Sequence, residues 1–325
     1  MTERVTPPLA ADRPIAISVV VPVLNEAGNV PELSRLLVGV LDDLCRQQGY
    51  AAEAFEIVFV DDGSEDDTWD LIDAQHREDA RVGGIKLSRR FGHHLAVTAG
   101  LDRARGDAVV VMDGDLQDPP EEIPKLYARY QDGFDLVYGI RHQRHDPLVK
   151  RLNSQLFWRT MNRVSGLHMP PNQMMLRVMS RKFVDAICQM RESARFIHGM
   201  MAWAGFRVTS VEVAHHERRA GSTKYSVVRQ LSLALYALTS FSTTPLRIAS
   251  VLGLVTAGAS FAAGVALVAA KFIYGYSVEG WASIITSMFF LSGLQMFVLG
   301  IMGEYIGKTY KEVQRRPLYF ISEAR

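Results

Sequence analysis

The sequence has few cysteines and no excess of either charge. Cys45 and Cys188 are the only two cysteines in 325 residues, too few for a disulfide framework, so we interpret both as reduced core thiols. The 36 basic and 35 acidic side chains leave a net charge of +1. This balance argues against nucleic-acid binding, because proteins that bind nucleic acid usually carry a clear basic excess.

Two common nucleotide-binding signatures are also missing. No G-x-G-x-x-G follows the first predicted strand, and no Walker lysine motif occurs, so dinucleotide and P-loop binding both lose support. Residues 1–14 contain no apolar run. We therefore expect a disordered leader there and not a cleavable signal peptide.

Two long segments lack any charged residue. Residues 248–270 and 281–303 are uncharged runs of 23 residues each. As helices they would be about 34 Å long, enough to cross a hydrocarbon core of about 30 Å. Buried helices of a soluble bundle are the alternative, but such bundles rarely contain two uncharged runs of this length. The sequence predicts membrane helices at 246–271 and 281–303.

The charges around these runs predict an orientation. One arginine precedes the first run, and a basic tail, residues 304–325, follows the second, whereas the loop at 271–280 holds one lysine and one glutamate. The positive-inside rule then places the N-terminal region and the tail in the cytoplasm. The apolar segment within 221–245 leads into the first run and predicts an amphipathic helix in the membrane interface. Gly303 and Gly307 allow close helix approach, within the hairpin or in an oligomer.

Apolar runs alternate with helical patterns between residues 15 and 141. Strands are predicted at 15–23, 55–60, 85–87, 108–112 and 134–138, and helices at 29–45, 68–78, 94–105 and from 119. This alternation indicates an α/β fold with a mostly parallel, Rossmann-like sheet covered on both faces, in a domain at 15–220. The basic, aromatic-rich stretch after residue 141 could lie on an anionic membrane or pack on the domain as a solvated helix.

Polar side chains collect where the predicted strands end. They form four groups, which are Asn25 and Glu26, Asp61 and Asp62, Arg89 and Arg90, and Asp113 and Asp115. In an open parallel sheet, ligands bind beyond the carboxyl ends of the strands. Two carboxylates one residue apart at such an end suit Mg²⁺ or Mn²⁺, which often bridge to substrate phosphates. Most isolated D-x-D pairs are solvated turns, but the second acidic pair favours a functional site.

Several motifs occur in the order that characterises one enzyme family. VVVPVLNE, VDDGSEDDT, LSRRFGHHLAVTAGL and VMDGDLQDPPEEIP resemble the catalytic domain of glycosyltransferase family 2. HHERRAGSTKY, TTPLR, the two apolar runs and GEYIGKTYKEVQRRPLYF narrow the resemblance to bacterial polyisoprenyl-phosphate glycosyltransferases, including undecaprenyl-phosphate glucosyl- and formamido-arabinosyl-transferases. The similarity covers nearly the whole chain after residue 15.

The resemblance implies a GT-A fold and a metal-dependent, inverting transferase in the bacterial inner membrane. The donor would be a UDP-sugar, the acceptor undecaprenyl phosphate, and the product would serve cell-envelope glycan synthesis or lipid A modification. A homodimer or tetramer is also expected. By position, the nucleotide would contact Pro22, Asn25, Glu26, Asp61, Asp62 and Arg89. The metal and diphosphate would be held by Asp113 and Asp115, with Arg177 as a further catalytic residue, and Arg218 and Lys224 would bind phosphate.

The sequence departs from some relatives near Arg177. Met175 stands where they carry an aspartate, so we expect positioning and charge to matter more than a general base there. Two other functions stay open: a processive polysaccharide synthase, although no Q-x-x-R-W motif is present, and a catalytically silent membrane scaffold. The transferred sugar is not predicted beyond glucose and 4-formamido-arabinose as leading candidates.

Overall fold

The computed structural model describes residues 14–141, 173–193, 195–214, 243–274 and 280–325. These residues form two compact units. The first contains the described residues up to 214 together with 317–325, and the second contains the described residues from 243 to 316. The predicted leader, the basic stretch after residue 141 and the predicted interfacial helix lie outside the described residues.

The first unit is built on one sheet of eight strands. In chain order they are β1 (Ile17–Val23), β2 (Phe55–Asp61), β3 (Val82–Leu87), β4 (Ala108–Val111), β5 (Leu136–Arg141), β6 (Gln173–Ser180), β7 (Val208–Val213) and β8 (Ile321–Ala324). The spatial order is β7-β5-β6-β4-β1-β2-β3-β8. Strands β6 and β8 run antiparallel to their neighbours, and the other six share one direction. The predicted α/β class with a mostly parallel sheet is confirmed.

Helices cover the sheet. They are α1 (Val30–Gln48), α2 (Thr68–Glu78), α3 (His93–Arg103), α4 (Ile123–Gln131), α5 (Arg181–Gln189) and α6 (Ile197–Trp203). Every residue of β1 and β2 is buried, as a sheet covered on both faces requires. On α1 the buried leucines recur at helical spacing and pack against the sheet in one core, as Leu33, Leu37, Leu41 and Leu44. The core therefore fixes the strand ends from which the polar loops emerge.

The second unit is a pair of long helices, α7 (Thr244–Tyr274) and α8 (Trp281–Val313). Both are long and apolar enough to cross a membrane, over Thr244–Leu267 and Ser287–Val313, and their most apolar segments are almost entirely unburied. Exposed apolar side chains such as Leu254 and Phe289 would be unfavourable in water and suit a lipid environment. Helix α8 continues ten residues beyond the predicted span at 281–303. Its charged end is compatible with helix, since Glu304 and Lys308 face each other one turn apart.

The predicted cytoplasmic tail at 304–325 contains a helical segment and a strand, which were not predicted from the sequence. Its first part is the end of α8, and its last part is β8, which pairs with β3 in the first unit. The backbone N–H of Ser88 donates to the carbonyl of Phe320 (2.9 Å), and the indole N–H of Trp69 donates to Glu323 (3.1 Å). Strand β8 covers the edge of β3, which would otherwise present unpaired backbone groups.

Candidate functional site

The carboxyl ends of β1 and β2 lie side by side. The two strands are parallel, and Val23 stands opposite Asp61. Beyond this pair, Asn25 adopts φ 56°, donates its backbone N–H to the Ser64 hydroxyl (2.9 Å) and accepts from the Glu65 N–H through Oδ1 (2.9 Å). The backbone N–H of Glu26 donates to the Thr68 hydroxyl (2.9 Å). Asn25 and Glu26 therefore join the two loops into one surface.

Asp61 is fully buried at the end of β2. Its Oδ1 accepts a hydrogen bond from the Ser64 backbone N–H (2.8 Å). Its Oδ2 is buried, and no described residue provides it with a hydrogen-bond partner. A buried carboxylate oxygen without a partner is costly. This oxygen is therefore the part of the site that most needs a donor from a ligand or a water molecule.

Asp62 organises the loop that follows β3. Its carboxylate accepts from the backbone N–H groups of Phe91 (2.7 Å) and Gly92 (2.8 Å). Burial raises the pKa of Asp62 above its ordinary value, while these N–H donors lower it. The guanidinium of Arg89 lies in the same loop, is exposed and stacks 4.0 Å from the Phe91 ring centroid. Asp62 thus holds in place the loop that carries Arg89.

Gly63 lets this loop come close to the end of β2. It has φ +76°, and a Cβ at this position would lie 2.7 Å from backbone atoms of Arg89 and Arg90. Only glycine combines this left-handed conformation with so close an approach. The glycine in the Asp-Asp-Gly sequence is therefore required by the contact between the two loops.

The Asp113-Gly114-Asp115 turn follows β4 and packs against the end of β1. A Cβ on Gly114 would lie 2.6 Å from Val23 Cγ1 and 3.3 Å from the Pro22 carbonyl oxygen. Both carboxylates are partly exposed. Asp115 Oδ1 accepts from the backbone N–H of Gln117 (3.2 Å), and Asp113 Oδ1 lies 3.7 Å from His93 Nε2. The strands thus bring together the predicted residues Pro22, Asn25, Glu26, Asp61, Asp62, Arg89, Asp113 and Asp115.

The two carboxylates of this turn are chemically suited to a divalent cation. Carboxylate oxygens are hard ligands, and Mg²⁺ usually combines one or two of them with water and substrate phosphates. No group of three His, Cys, Asp or Glu side chains arranged to hold a metal occurs in the described part of the chain. A cation bound to Asp113 and Asp115 would complete its coordination with oxygens of the ligand and of water.

Arg177 lies behind this turn, on β6. It stands opposite Val111 of β4, two residues before Asp113, and its side chain is completely buried. The guanidinium donates to the carbonyls of Met174 (2.8 Å) and Met175 (3.0 Å) and lies 5.4 Å from the Tyr138 ring centroid. Burial lowers the pKa of Arg177, and the charge of Asp113 raises it. In this conformation Arg177 acts on the turn as a nearby positive charge, without being exposed to a ligand.

A histidine group beside Arg177 was not anticipated from the sequence. His198 Nε2 lies 3.2 Å from Arg177 Nη2, and the His94 and His198 rings meet edge to face at 6.0 Å. Burial lowers the pKa of His94 to about 4, and burial with the nearby Arg177 charge lowers the pKa of His198 well below its ordinary value. His198 lies on α6, far from His94 in the sequence, so no local motif could have identified the pair.

Two predicted residues, Arg218 and Lys224, lie outside the described residues, so their phosphate-binding role stays a prediction. Both cysteines are free; Cys45 is buried, as expected for a core thiol, whereas Cys188 is only half-buried. Asp118 was not among the predicted residues; its buried carboxylate accepts a hydrogen bond from the Leu176 backbone N–H (3.2 Å). That bond ties the segment after the acidic turn to β6.

A mostly parallel α/β sheet with acidic side chains beyond β1, β2 and β4 is typical of proteins that bind a ligand at the carboxyl ends of the strands. Comparison with known proteins specifies the family. The chain matches glycosyl transferase family 2 over residues 18–191 and belongs to that family. It is therefore a glycosyltransferase.

Relatives of similar length extend the match along the chain. The prophage bactoprenol glucosyl transferase homolog of Escherichia coli K12 is 39% identical, over 95% of this chain and 99% of its own. The undecaprenyl-phosphate 4-deoxy-4-formamido-L-arabinose transferase of Aeromonas hydrophila is 34% identical, over 94% of this chain and 93% of its own. Both matches include the region of the two long apolar helices.

Among solved structures, the chain is similar to glucosyl-3-phosphoglycerate synthase from Mycobacterium tuberculosis in complex with Mn²⁺, UDP and glucosyl-3-phosphoglycerate. That match has a TM-score of 0.45 and 17% identity, over 69% of this chain and 78% of that one. Staphylococcus aureus TarS in complex with UDP-GlcNAc matches with a TM-score of 0.44 and 18% identity, over 70% and 66% of the two chains.

Proposed function

We propose that this protein is a membrane-bound inverting glycosyltransferase that moves one sugar from a UDP-sugar to undecaprenyl phosphate. The observation that carries the proposal is the position of Asp61, Asp113 and Asp115 at the carboxyl ends of β2 and β4, the two strands that flank β1. Relatives named as undecaprenyl-phosphate and bactoprenol sugar transferases over nearly the whole chain support the choice of acceptor. Glucose and 4-formamido-arabinose are the first donors to test.

The reaction is a single displacement at the anomeric carbon. An oxygen of the acceptor phosphate forms the new bond to that carbon. The bond from the carbon to the donor diphosphate breaks, and its electron pair leaves on UDP, so the configuration inverts. A phosphate acceptor is already anionic near neutral pH, so the attack needs little help from a general base. The main requirement is to stabilise the negative charge that develops on the departing diphosphate.

The residues of the site suit this requirement in different ways. A bound Mg²⁺ or Mn²⁺, held by Asp113 and Asp115, would neutralise charge on the diphosphate. Asp61 would accept from the nucleotide through its unpartnered Oδ2, beside Pro22. Asn25, Glu26 and Asp62 would support the nucleotide by holding the loops, and Arg89 would offer its exposed guanidinium. Arg177 would act through its charge, as a buried cation near Asp113.

The second unit suits a lipid-linked acceptor. Helices α7 and α8 are long and apolar enough to cross a membrane, and the charges flanking them favour a cytoplasmic catalytic domain at a bacterial inner membrane. The acceptor would keep its chain in the bilayer, with Arg218 and Lys224 binding its phosphate. The product would enter cell-envelope glycan synthesis or lipid A modification, and we propose a homodimer or tetramer.

The test is reconstitution of the full chain in nanodiscs with undecaprenyl phosphate, Mn²⁺ and a panel of labelled UDP-sugars. One donor should give a lipid extract that carries a single sugar. A polymer would point to a processive synthase. Absence of product from every donor, with no UDP binding by a folded protein, would favour a silent scaffold and overturn the proposal.

The same assay tests the acidic turn. Asp115→Asn should lower turnover by about two orders of magnitude or more, since it removes a charged ligand at the diphosphate. Asp132→Asn, which changes an exposed carboxylate paired with Arg129, is the matched control and should leave turnover unchanged. Full activity of a folded Asp115→Asn protein would refute the assignment of this carboxylate.

A further inference from the structure

Three consecutive backbone N–H groups of the loop after β1 donate to side chains of the loop after β2. The pairs are Asn25 with the Ser64 hydroxyl (2.9 Å), Glu26 with the Thr68 hydroxyl (2.9 Å) and Ala27 with Asp66 Oδ2 (3.3 Å). All three acceptors are side-chain oxygens. The position of residues 25–27 therefore depends on which side chains stand in the second loop, and not only on the pairing of the strands.

Asp66 takes part in two of these contacts. Its Oδ2 accepts from the Ala27 N–H, and its Oδ1 accepts from the Thr68 hydroxyl (2.5 Å) and from the Thr68 backbone N–H (3.2 Å). A hydroxyl has a single hydrogen. Because that hydrogen points to Asp66, the Thr68 oxygen presents its lone pairs to the Glu26 N–H. One carboxylate thus sets the direction of two hydrogen bonds to residues 25–27.

An amide of the same shape cannot make the same bonds. Asparagine has one oxygen and one NH₂ group in place of the two carboxylate oxygens. In one orientation the NH₂ group would face the Ala27 N–H, and in the other it would face the Thr68 N–H. Each orientation opposes two donors, so Asp66→Asn must break one contact whichever way the amide turns.

The second loop also carries the buried acceptor of the proposed nucleotide site. The Ser64 N–H donates to Asp61 Oδ1 (2.8 Å), while Asp61 Oδ2 has no partner among the described residues. At the base of both loops, the Asp62 N–H donates to the Val23 carbonyl (3.0 Å). A nucleotide that contacts Asp61 and residues 25–27 at once needs the two loops in a fixed relative position.

We propose that Asp66 is a positioning residue that, directly and through Thr68, holds residues 25–27 where the nucleotide binds. The inference rests on the proposed function, because it concerns the nucleotide of that site. Asp66 acts through the backbone of the first loop and needs no contact with the nucleotide. The nucleotide is bound before and during sugar transfer, so loss of this support should raise the KM for the donor and leave kcat unchanged.

The experiment measures UDP binding to the full chain in nanodiscs at saturating Mn²⁺, by calorimetry, for the wild type and four single variants. Asp66→Asn opposes two donors, as described. Thr68→Val removes the hydroxyl and keeps the branched shape, whereas Thr68→Ser keeps the hydroxyl. Asp70→Asn is the matched control, because it removes an exposed carboxylate in the first turn of α2.

We expect Asp66→Asn and Thr68→Val each to weaken UDP binding about tenfold, as for one backbone N–H left without its acceptor. In the transfer assay the KM for the donor should rise by a similar factor, with kcat within about twofold of the wild type. Thr68→Ser and Asp70→Asn should bind UDP within about twofold of the wild type. The double variant Asp66→Asn/Thr68→Val should lose clearly less than the product of the two single effects, since both act on one network.

Wild-type UDP affinity in a folded Asp66→Asn or Thr68→Val protein would overturn the inference. A lower kcat at an unchanged KM would also overturn it, because that result indicates a smaller folded fraction and not a misplaced loop. Asp66 is exposed, so Asp66→Asn keeps the test decisive if the buried Thr68→Val change prevents folding. Failure of the wild type itself to bind UDP is a different result, since it would contradict the proposed function.

Discussion

At the scale of single residues, two fully buried charged side chains define the site in opposite ways. Asp61 has a carboxylate oxygen with no partner among the described residues, whereas Arg177 finds neutral acceptors along its guanidinium. The first arrangement leaves a place for a ligand donor. The second keeps the positive charge of Arg177 buried near the acidic turn. Burial alone would not separate these roles, but the hydrogen-bond partners do.

The first prediction concerns Asp61→Asn. The amide can still accept from the Ser64 N–H through its oxygen, so the melting temperature should stay within about 2 °C of the wild type. Replacing the unpartnered oxygen by an NH₂ group should weaken UDP binding at least about tenfold, because an acceptor becomes a donor. Calorimetric titration with UDP measures this. Unchanged affinity would show that Oδ2 does not contact the nucleotide.

The second prediction concerns pH and His94. Burial and the charges of His93, Arg177 and Arg195 lower the pKa of His94 to about 4. As pH falls below about 6.5, the unfolded chain binds a proton at this site and the folded protein does not, so stability decreases until pH reaches about 4. His94→Phe should remove this loss of stability, which is up to about 3 kcal/mol.

Denaturation of both proteins between pH 7.5 and 4 measures the effect. The free energy of unfolding of the variant should rise relative to the wild type as pH falls, most of all between pH 6 and 4.5. A constant difference across this range would mean that His94 titrates normally in the folded protein.

At the scale of secondary-structure elements, the site depends on loops that touch through their backbones. The loop after β2 meets the loop after β3 at Gly63, and the turn after β4 meets β1 at Gly114. These contacts hold polar groups from separate parts of the sequence at one edge of the sheet. The strands supply the alignment, and the glycines permit the close approach.

The third prediction compares two glycines with similar backbone conformations. Gly63 has φ +76° and backbone atoms of Arg89 and Arg90 at 2.7 Å from a built Cβ, whereas Gly49 has φ +71° and open space. Gly49→Ala should cost about 1 kcal/mol, the penalty of the left-handed conformation. Gly63→Ala should cost clearly more and should also weaken UDP binding. Melting curves and UDP titration test both. Equal losses of stability in the two variants would show that the two loops can move apart without a cost in free energy.

The elements themselves were predictable to different degrees. The apolar, β-branched runs of β1, β2 and β4 were identified to within about two residues, because continuous burial leaves a plain hydrophobic pattern. Strands β6, β7 and β8 were missed. All three pair with strands far away in the sequence, and the sequence of β8 has the composition of a polar tail.

At the scale of the whole molecule, the C-terminal residues belong to the unit that holds the site. After helix α8, the chain adds β8 to the edge of the sheet, and the Tyr319 hydroxyl donates to Asp102 on α3 (2.7 Å). Strand β3 leads into the Arg89 loop, and α3 begins at His93. Residues 317–325 therefore support two elements that border the site.

The fourth prediction follows from this support. Removal of residues 317–325 should lower the melting temperature by at least about 5 °C and promote aggregation, since it uncovers the edge of β3. Glu323→Gln is the control, because glutamine can still accept from the Trp69 indole, and it should change the melting temperature by less than about 2 °C. Thermal melts with light scattering measure both. A stable, monodisperse truncated protein would contradict the role assigned to β8.

The sequence by itself determined the α/β class, the two long apolar helices and the acidic groups that end β1, β2 and β4. These features are local, since the hydrophobic pattern of an element and the polar residues at its end involve only residues that are adjacent in the sequence. Only the tertiary structure decided that Arg177 is buried with neutral acceptors, that His198 is its partner, and that the last residues complete the sheet. Those features arise from contacts between segments far apart in the chain, and no stretch of sequence contains the geometry that joins them.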